Sequence, residues 1–175
     1  IGKFFPGAKV GTGSPRRLEQ LTLINEHLDV KGIRGNITTR IKKLEEGKYD
    51  AIVLARAGLE LLGLEKKITH TFDFDHMLPA VGQGVIAIQT RTMSPYTALI
   101  RQINHLDTFY CVLAERTALK FLDGDCHSAV GILAQVTGDC ITLKAINYNN
   151  MKDCTVTGKI LDYKQIGEQV GLAIK

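Results

Sequence analysis

The sequence predicts an α/β protein: a lobe with a mainly parallel sheet, followed by a small α+β unit with a three-stranded antiparallel sheet. Three observations carry this expectation. Short strand-like segments alternate with helix-like ones through the first half of the 175 residues. One of those segments, at 51–55, is continuously apolar, as a strand buried on both faces should be. In the second half, three longer strand patterns separated by turn signals lie between two helical patterns. A hydrophobic fraction of 45% and a charged fraction of 23% suit a chain that builds a core.

The elements follow in order. AKVGT (8–12) reads as a strand entering a glycine turn, after which Ser14 takes the N-cap position and Pro15 the first helical position, where its missing N–H costs nothing. Leu18, Leu21, Ile24 and Leu28 recur at helical spacing. DVKGI (29–33) is a second strand, RGN turns the chain, and Thr38 or Thr39 starts a helix with Ile41 and Leu44 inward and Gly47 as its stop. The strand at 51–55 precedes a short helix over 59–62 and Gly63, and AVGQGVIAIQTR (80–91) reads as another apolar strand. Beyond Asn104 come a helix over 109–122, strands near 129–136, 141–148 and 155–161, and a closing amphipathic helix carrying Ile166, Val170 and Ile174.

Several function classes are disfavoured. The net charge of +4 is mild, and with 6% aromatic residues no basic–aromatic stripe suggests nucleic-acid binding. No apolar run reaches the ~18 residues of a membrane span, and nothing resembles a signal peptide, so a cytoplasmic protein is expected. The opening IGKFFPGAKVG reads as entry into a strand, which leads us to expect a fragment. Cys111, Cys126, Cys140 and Cys154 form no CxxC or His/Cys ligand set, so reduced thiols and no metal are expected, with Cys111, Cys140 and Cys154 buried.

The chemistry concentrates at two places. Arg16 and Arg17 open one helix, Arg34 closes a strand, and Arg40 begins the next helix. In an open parallel sheet, ligands collect beyond the carboxyl ends of the strands, near helix N-termini that attract anions. Singly, each arginine reads as a solvated surface group; jointly they favour a site for several carboxylates or phosphates, which guanidinium groups bind bidentately. GTGSPR fails as a dinucleotide fingerprint because Arg16 occupies the third glycine position, and no GK[ST] follows any glycine loop. The second place is FLDGDCHSAVG (121–131), where His127 or the arginines would favour a Cys126 thiolate and Asp123 and Asp125 would oppose it. Local sequence leaves a functional and an ordinary thiol equally open.

The segments VGTGSPRRLEQL, IRGNITTRIKKLEEGKYDAIVLARAGLELLGL, LPAVGQGVIAIQTR and AERTALKFLDGDCHSAVG, in this order, resemble the porphobilinogen deaminase (hydroxymethylbilane synthase) family. The resemblance implies two periplasmic-binding-protein-like lobes and a small third domain, with residues 1–88 as the second domain, 89–106 as a segment returning to the first, and 107–175 as the third. It implies a transferase of tetrapyrrole biosynthesis that joins four porphobilinogen units with release of ammonia, on a dipyrromethane cofactor held by a thioether at Cys126. Arg16, Arg17, Arg34 and Arg40 match the family's carboxylate-binding positions, with Thr12, Ser14 and Gly35 beside them. No carboxylate here matches the family's catalytic aspartate, which lies in the first domain, so no catalytic residue is assigned and this chain alone is expected to be inactive. Its implied partners are porphobilinogen and the growing polypyrrole, without nucleic acid or membrane, and it is expected to be a monomer. Leu61 stands where the family usually has arginine, with Arg56 a nearby extra cation; Gly13 replaces a serine, and Asp125 adds a negative charge beside the thiol. The competing readings are a non-catalytic carboxylate-binding module and an anion-sensing regulatory lobe, in which Cys126 carries nothing.

Overall fold

The computed structural model describes residues 4–122 and 129–175. They fall into two compact units, the first made of the described residues up to Leu78 with Ala129 and Val130, the second beginning at Pro79 and closing with Gly131–Lys175.

The first unit holds strands β1 (Lys9–Gly11), β2 (Asp29–Lys31) and β3 (Ala51–Ile52), with helices α1 (Pro15–Ile24), α2 (Ile37–Glu45) and α3 (Arg56–Leu61). The strands are parallel in the order β2-β1-β3, with Val10 opposite both Val30 and Ala51. A single central strand therefore sends its carboxyl end between two β-to-α loops. Pairing persists one residue past β1 on each side: the Thr12 N–H donates to the Lys31 carbonyl at 2.9 Å, and the Val53 N–H to the Gly11 carbonyl at 3.0 Å. Val10, Leu21, Ile33, Ile41, Leu59 and Leu78 are buried in this unit. The buried Gln20 side chain ties the unit's end to α1, accepting the Leu78 N–H at 2.6 Å and donating to the Leu78 carbonyl at 3.1 Å.

The second unit holds α4 (Thr97–Arg101), α5 (Leu106–Phe121), strands β4 (Val130–Thr137), β5 (Cys140–Asn147) and β6 (Lys152–Lys159), and α6 (Tyr163–Ala173). The sheet order is β4-β5-β6, and β5 and β6 run antiparallel with Ala145 opposite Cys154. Alternation along β5 buries Ile141, Leu143, Ala145 and Asn147, as the period of a one-faced strand requires. Helices α5 and α6 meet through Gly167 and Gly171, four residues apart on one face. A Cβ on Gly171 would lie 2.4 Å from the Ala118 carbonyl oxygen, and one on Gly167 would lie 2.6 Å from that of Ala114. Only glycine permits so close an approach of two helix backbones.

Glu115 is the buried carboxylate of this unit. It projects from α5 and accepts the Gly82 N–H at 2.7 Å and the Ala134 N–H at 2.9 Å, stitching a turn and β4 to the helix. Burial pushes its carboxyl above the ordinary range, and the two amide bonds pull the other way.

Four sequence expectations need correction. The apolar strand at 80–91 does not form: glycines 82 and 84 take positive φ in a turn, and the residues after it run without strand pairing. Ile86 is 89% exposed there. An apolar run becomes a strand only beside another strand, and no described strand pairs with this one. Cys140 is exposed rather than buried, because it falls on the outward phase of β5 directly after the Gly138 turn. The second helix is capped by Asn36, not by Thr38 or Thr39; the Asn36 side chain accepts the Thr39 N–H at 2.8 Å. The third strand covers only Ala51–Ile52, and α3 begins at Arg56, earlier than the helix expected over 59–62.

Candidate anion-binding site

The two loops that follow β1 and β2 form the site. After β1, the Thr12 hydroxyl is buried and accepts the Ser14 N–H at 3.2 Å, turning the chain into α1. Ser14 occupies the N-cap position without a side-chain capping bond, and Pro15 contributes no N–H. The first amides of α1 thus lack the side-chain acceptor that Asn36 gives α2, leaving that end of the helix dipole positive. The loops touch at Gly13, where a Cβ would lie 2.9 Å from the Ile33 carbonyl oxygen. A serine at position 13 could not enter without moving one loop, so glycine here does more than omit a hydroxyl. Gly35 sits at φ +118°, a backbone conformation reserved for glycine, and its missing Cβ leaves room for Thr39.

The arginines divide in role. Arg17 is partly buried and donates from Nη1 to the Val53 carbonyl at 3.1 Å, crossing the end of β3. Its pKa is lowered first by burial and then by the positive charge of Arg40. Arg40 donates from Nε to the Gly35 carbonyl at 2.7 Å. Among the described residues, no ion pair involves Arg17, Arg34 or Arg40. Arg17 therefore feels the positive charge of Arg40 while neither is in an ion pair among the described residues, a situation that a bound anion would relieve. Arg34 is exposed on the adjoining loop. Arg16 points elsewhere: it is 4% exposed, and its Nη1 donates to the Leu78 carbonyl, beside the Gln20 bonds. It thereby braces Leu78 against α1.

The departures noted in the sequence can also be located. Leu61 is 87% exposed on α3. Arg56 is occupied by Glu60 at 2.6 Å, one helical turn away, and so is not a free substitute cation. Cys126, together with Asp123, Asp125 and His127, lies outside the described residues. Among those described, Cys111, Cys140 and Cys154 are free thiols, and no group of His, Cys, Asp or Glu has metal-binding geometry. Burial, Glu115 and Asp107 all push the Cys111 thiol up, away from the reactive thiolate. A cavity of about 200 Å³ in the second unit, lined by Cys111, Glu115, Thr108 and Gln83 among others, contains none of the arginines.

Two side chains passed over in the sequence reach the same loop. Lys43 donates from Nζ to the Arg34 carbonyl at 3.0 Å, and the Tyr49 hydroxyl donates to the Gly32 carbonyl at 2.9 Å. Lys43 could have been noticed from its spacing, three residues beyond Arg40 on one helix face. Tyr49 had no such signal.

Comparisons with known proteins bear on the family of the chain. Residues 1–98 match the family model described as porphobilinogen deaminase, dipyromethane cofactor binding domain, and residues 109–175 match that of the porphobilinogen deaminase C-terminal domain. The chain belongs to the porphobilinogen deaminase family. It is 39% identical over 168 residues to a porphobilinogen deaminase of Clostridium botulinum, covering 96% of this chain and 57% of that protein. It is 47% identical over 141 residues to one of Acidithiobacillus ferrooxidans, covering 80% of this chain and 46% of that protein. The chain thus spans about half the length of these curated relatives. The described residues fit a dipyrromethane: its acetate and propionate carboxylates call for cations outside ion pairs, and Arg17, Arg34 and Arg40 are in none among the described residues.

Proposed function

We propose that this chain is the part of a porphobilinogen deaminase that anchors a dipyrromethane through Cys126 and grips its carboxylates through Arg17, Arg34 and Arg40, with Arg16, Thr12, Ser14 and Gly35 shaping the loops. The observation that carries the reading is half-buried Arg17, which feels the charge of Arg40 while neither is in an ion pair among the described residues. A bound carboxylate would offset both the burial of Arg17 and its repulsion from Arg40. When bound, dipyrromethane supplies the primer pyrrole to which new units are joined. The residues of this chain bind and orient: Arg17 and Arg40 hold carboxylates at the end of β3, Arg34 extends the cationic edge, and the uncapped start of α1 adds backbone donors.

The whole reaction joins porphobilinogen units in series. Each step forms a carbon–carbon bond between an aminomethyl carbon and a pyrrole α-carbon, expels the amine as ammonia and removes the α-proton. After four porphobilinogen units, water releases linear hydroxymethylbilane. The proton transfers belong to a carboxylate outside this chain, so no catalytic residue is assigned within it. Residues 1–88 serve as the second domain, 89–106 as a segment completed by further chain, and 107–175 as the cofactor-bearing third. Exposed Met93 and Leu99 support the need for that completion. The protein acts in the cytoplasm as a monomer, and no helix among the described residues is long and apolar enough to cross a membrane.

The test is intact-mass measurement of the full-length protein made in cells that produce porphobilinogen. We expect a dipyrromethane-sized increment that disappears in Cys126→Ala. An unmodified Cys126 would overturn the proposal in favour of a non-catalytic carboxylate-binding module.

A further inference from the structure

Three carbonyls in the stretch between β2 and α2 are held by side chains that come from α2 or from just beyond it. The Gly32 carbonyl accepts from Tyr49 at 2.9 Å, that of Arg34 from Lys43 at 3.0 Å, and that of Gly35 from Arg40 at 2.7 Å. At the loop's far end, Asn36 caps α2 and also accepts the hydroxyls of Thr38 at 2.9 Å and Thr39 at 2.7 Å. The peptides that follow Gly32, Arg34 and Gly35 are therefore oriented by bonds to α2 and the segment behind it. A carbonyl oxygen turned toward a bound carboxylate would repel it, whereas one engaged by a donor is fixed elsewhere and partly neutralised. Tyr49 has a second contact: its ring carbon Cδ1 lies 3.0 Å from where a Cβ on Gly11 would stand. One residue thus spans the roots of both loops that make the site.

We propose that Lys43 and Tyr49 are positioning residues of the arginine site, holding the Arg34 and Gly32 carbonyls toward α2 so that the loop offers a polycarboxylate its cationic side chains and not its carbonyl oxygens. The proposal rests on the carboxylate-binding reading given above. Lys43 makes no ion pair among the described residues, so its charge also favours an anion nearby. Tyr49 carries no charge, and its effect can come only through position.

The experiment is calorimetric titration of the whole chain at low ionic strength with pyromellitate, a planar ring bearing several carboxylates. Arg17→Met should bind at least about tenfold more weakly than wild type, as loss of a charge-assisted contact implies. Lys43→Met and Tyr49→Phe should each weaken binding about three- to tenfold, the size of one lost hydrogen bond. Lys43→Arg, which keeps donor and charge, should restore wild-type affinity. Wild-type affinity in both Lys43→Met and Tyr49→Phe, with only a lowered Tm, would mean that these bonds serve folding alone and would overturn the proposal. If Arg17→Met also binds like wild type, the carboxylate reading of this edge fails, and the proposal fails with it.

Discussion

The two units spend their close contacts differently. In the first, strands of two or three residues carry little pairing, and the tight backbone approach at a glycine is between two loops, at Gly13 against the Ile33 carbonyl. In the second, strands of eight residues and a glycine-mediated helix pair concentrate close contact in the packed interior. Their buried charges differ in the same sense. Glu115 of the second unit has two amide donors and is locally satisfied, whereas half-buried Arg17 of the first has one backbone carbonyl as partner and feels the positive charge of Arg40. A buried charge met by fixed partners is structural, and one left facing its like invites a ligand.

Breaking the second unit should cost the most stability. Gly171→Ala drives a methyl group against the Ala118 carbonyl, which is backbone and cannot swing aside; we expect a loss of about 3 kcal/mol, measured by urea unfolding of this unit's signal. A neutral result would show that α5 and α6 can separate cheaply.

Glu115→Gln should come next, at about 1–2 kcal/mol, because one of two buried amides then faces an NH₂ group instead of an oxygen. The pH dependence sharpens the point. A carboxyl whose folded pKa is raised binds more protons folded than unfolded, so its contribution to stability falls as pH climbs from the ordinary 4.5 through the raised folded value. The stability margin of wild type over Glu115→Gln should therefore narrow as pH rises through that interval. A margin that widens there would contradict burial as the dominant influence on Glu115.

The smallest stability effect should follow Arg17→Met. It loses the Val53 bond but also removes a desolvated charge facing Arg40, so the net change should stay within about 1 kcal/mol by thermal unfolding. A larger loss would make Arg17 a structural residue like Arg16 and erase the contrast between the units.

Much of this was legible in the order of residues. The alternation in β5, the turn at Gly138 and the 3.6-residue pattern of Ile166, Val170 and Ile174 all mark their elements locally. The arginines at strand ends were equally visible, because parallel α/β topology dictates where such ends gather. The segment 80–91 misled because its apolar content states only that burial is sought, and no described strand supplies it. The bond of Arg16 to the Leu78 carbonyl was out of reach of such reading, since Leu78 lies 62 positions away.

By itself, the sequence determined the α/β character, the two-unit layout of elements, the family resemblance and the candidate residues, because periodicity, turn chemistry and motif order are properties of neighbours in the chain. Tertiary structure alone decided that the charge of Arg40 reaches half-buried Arg17, that Arg16 braces Leu78, and that Tyr49 and Lys43 grip the loop after β2. Those outcomes depend on distances between residues remote in sequence, and charge interactions are settled by such distances and by burial.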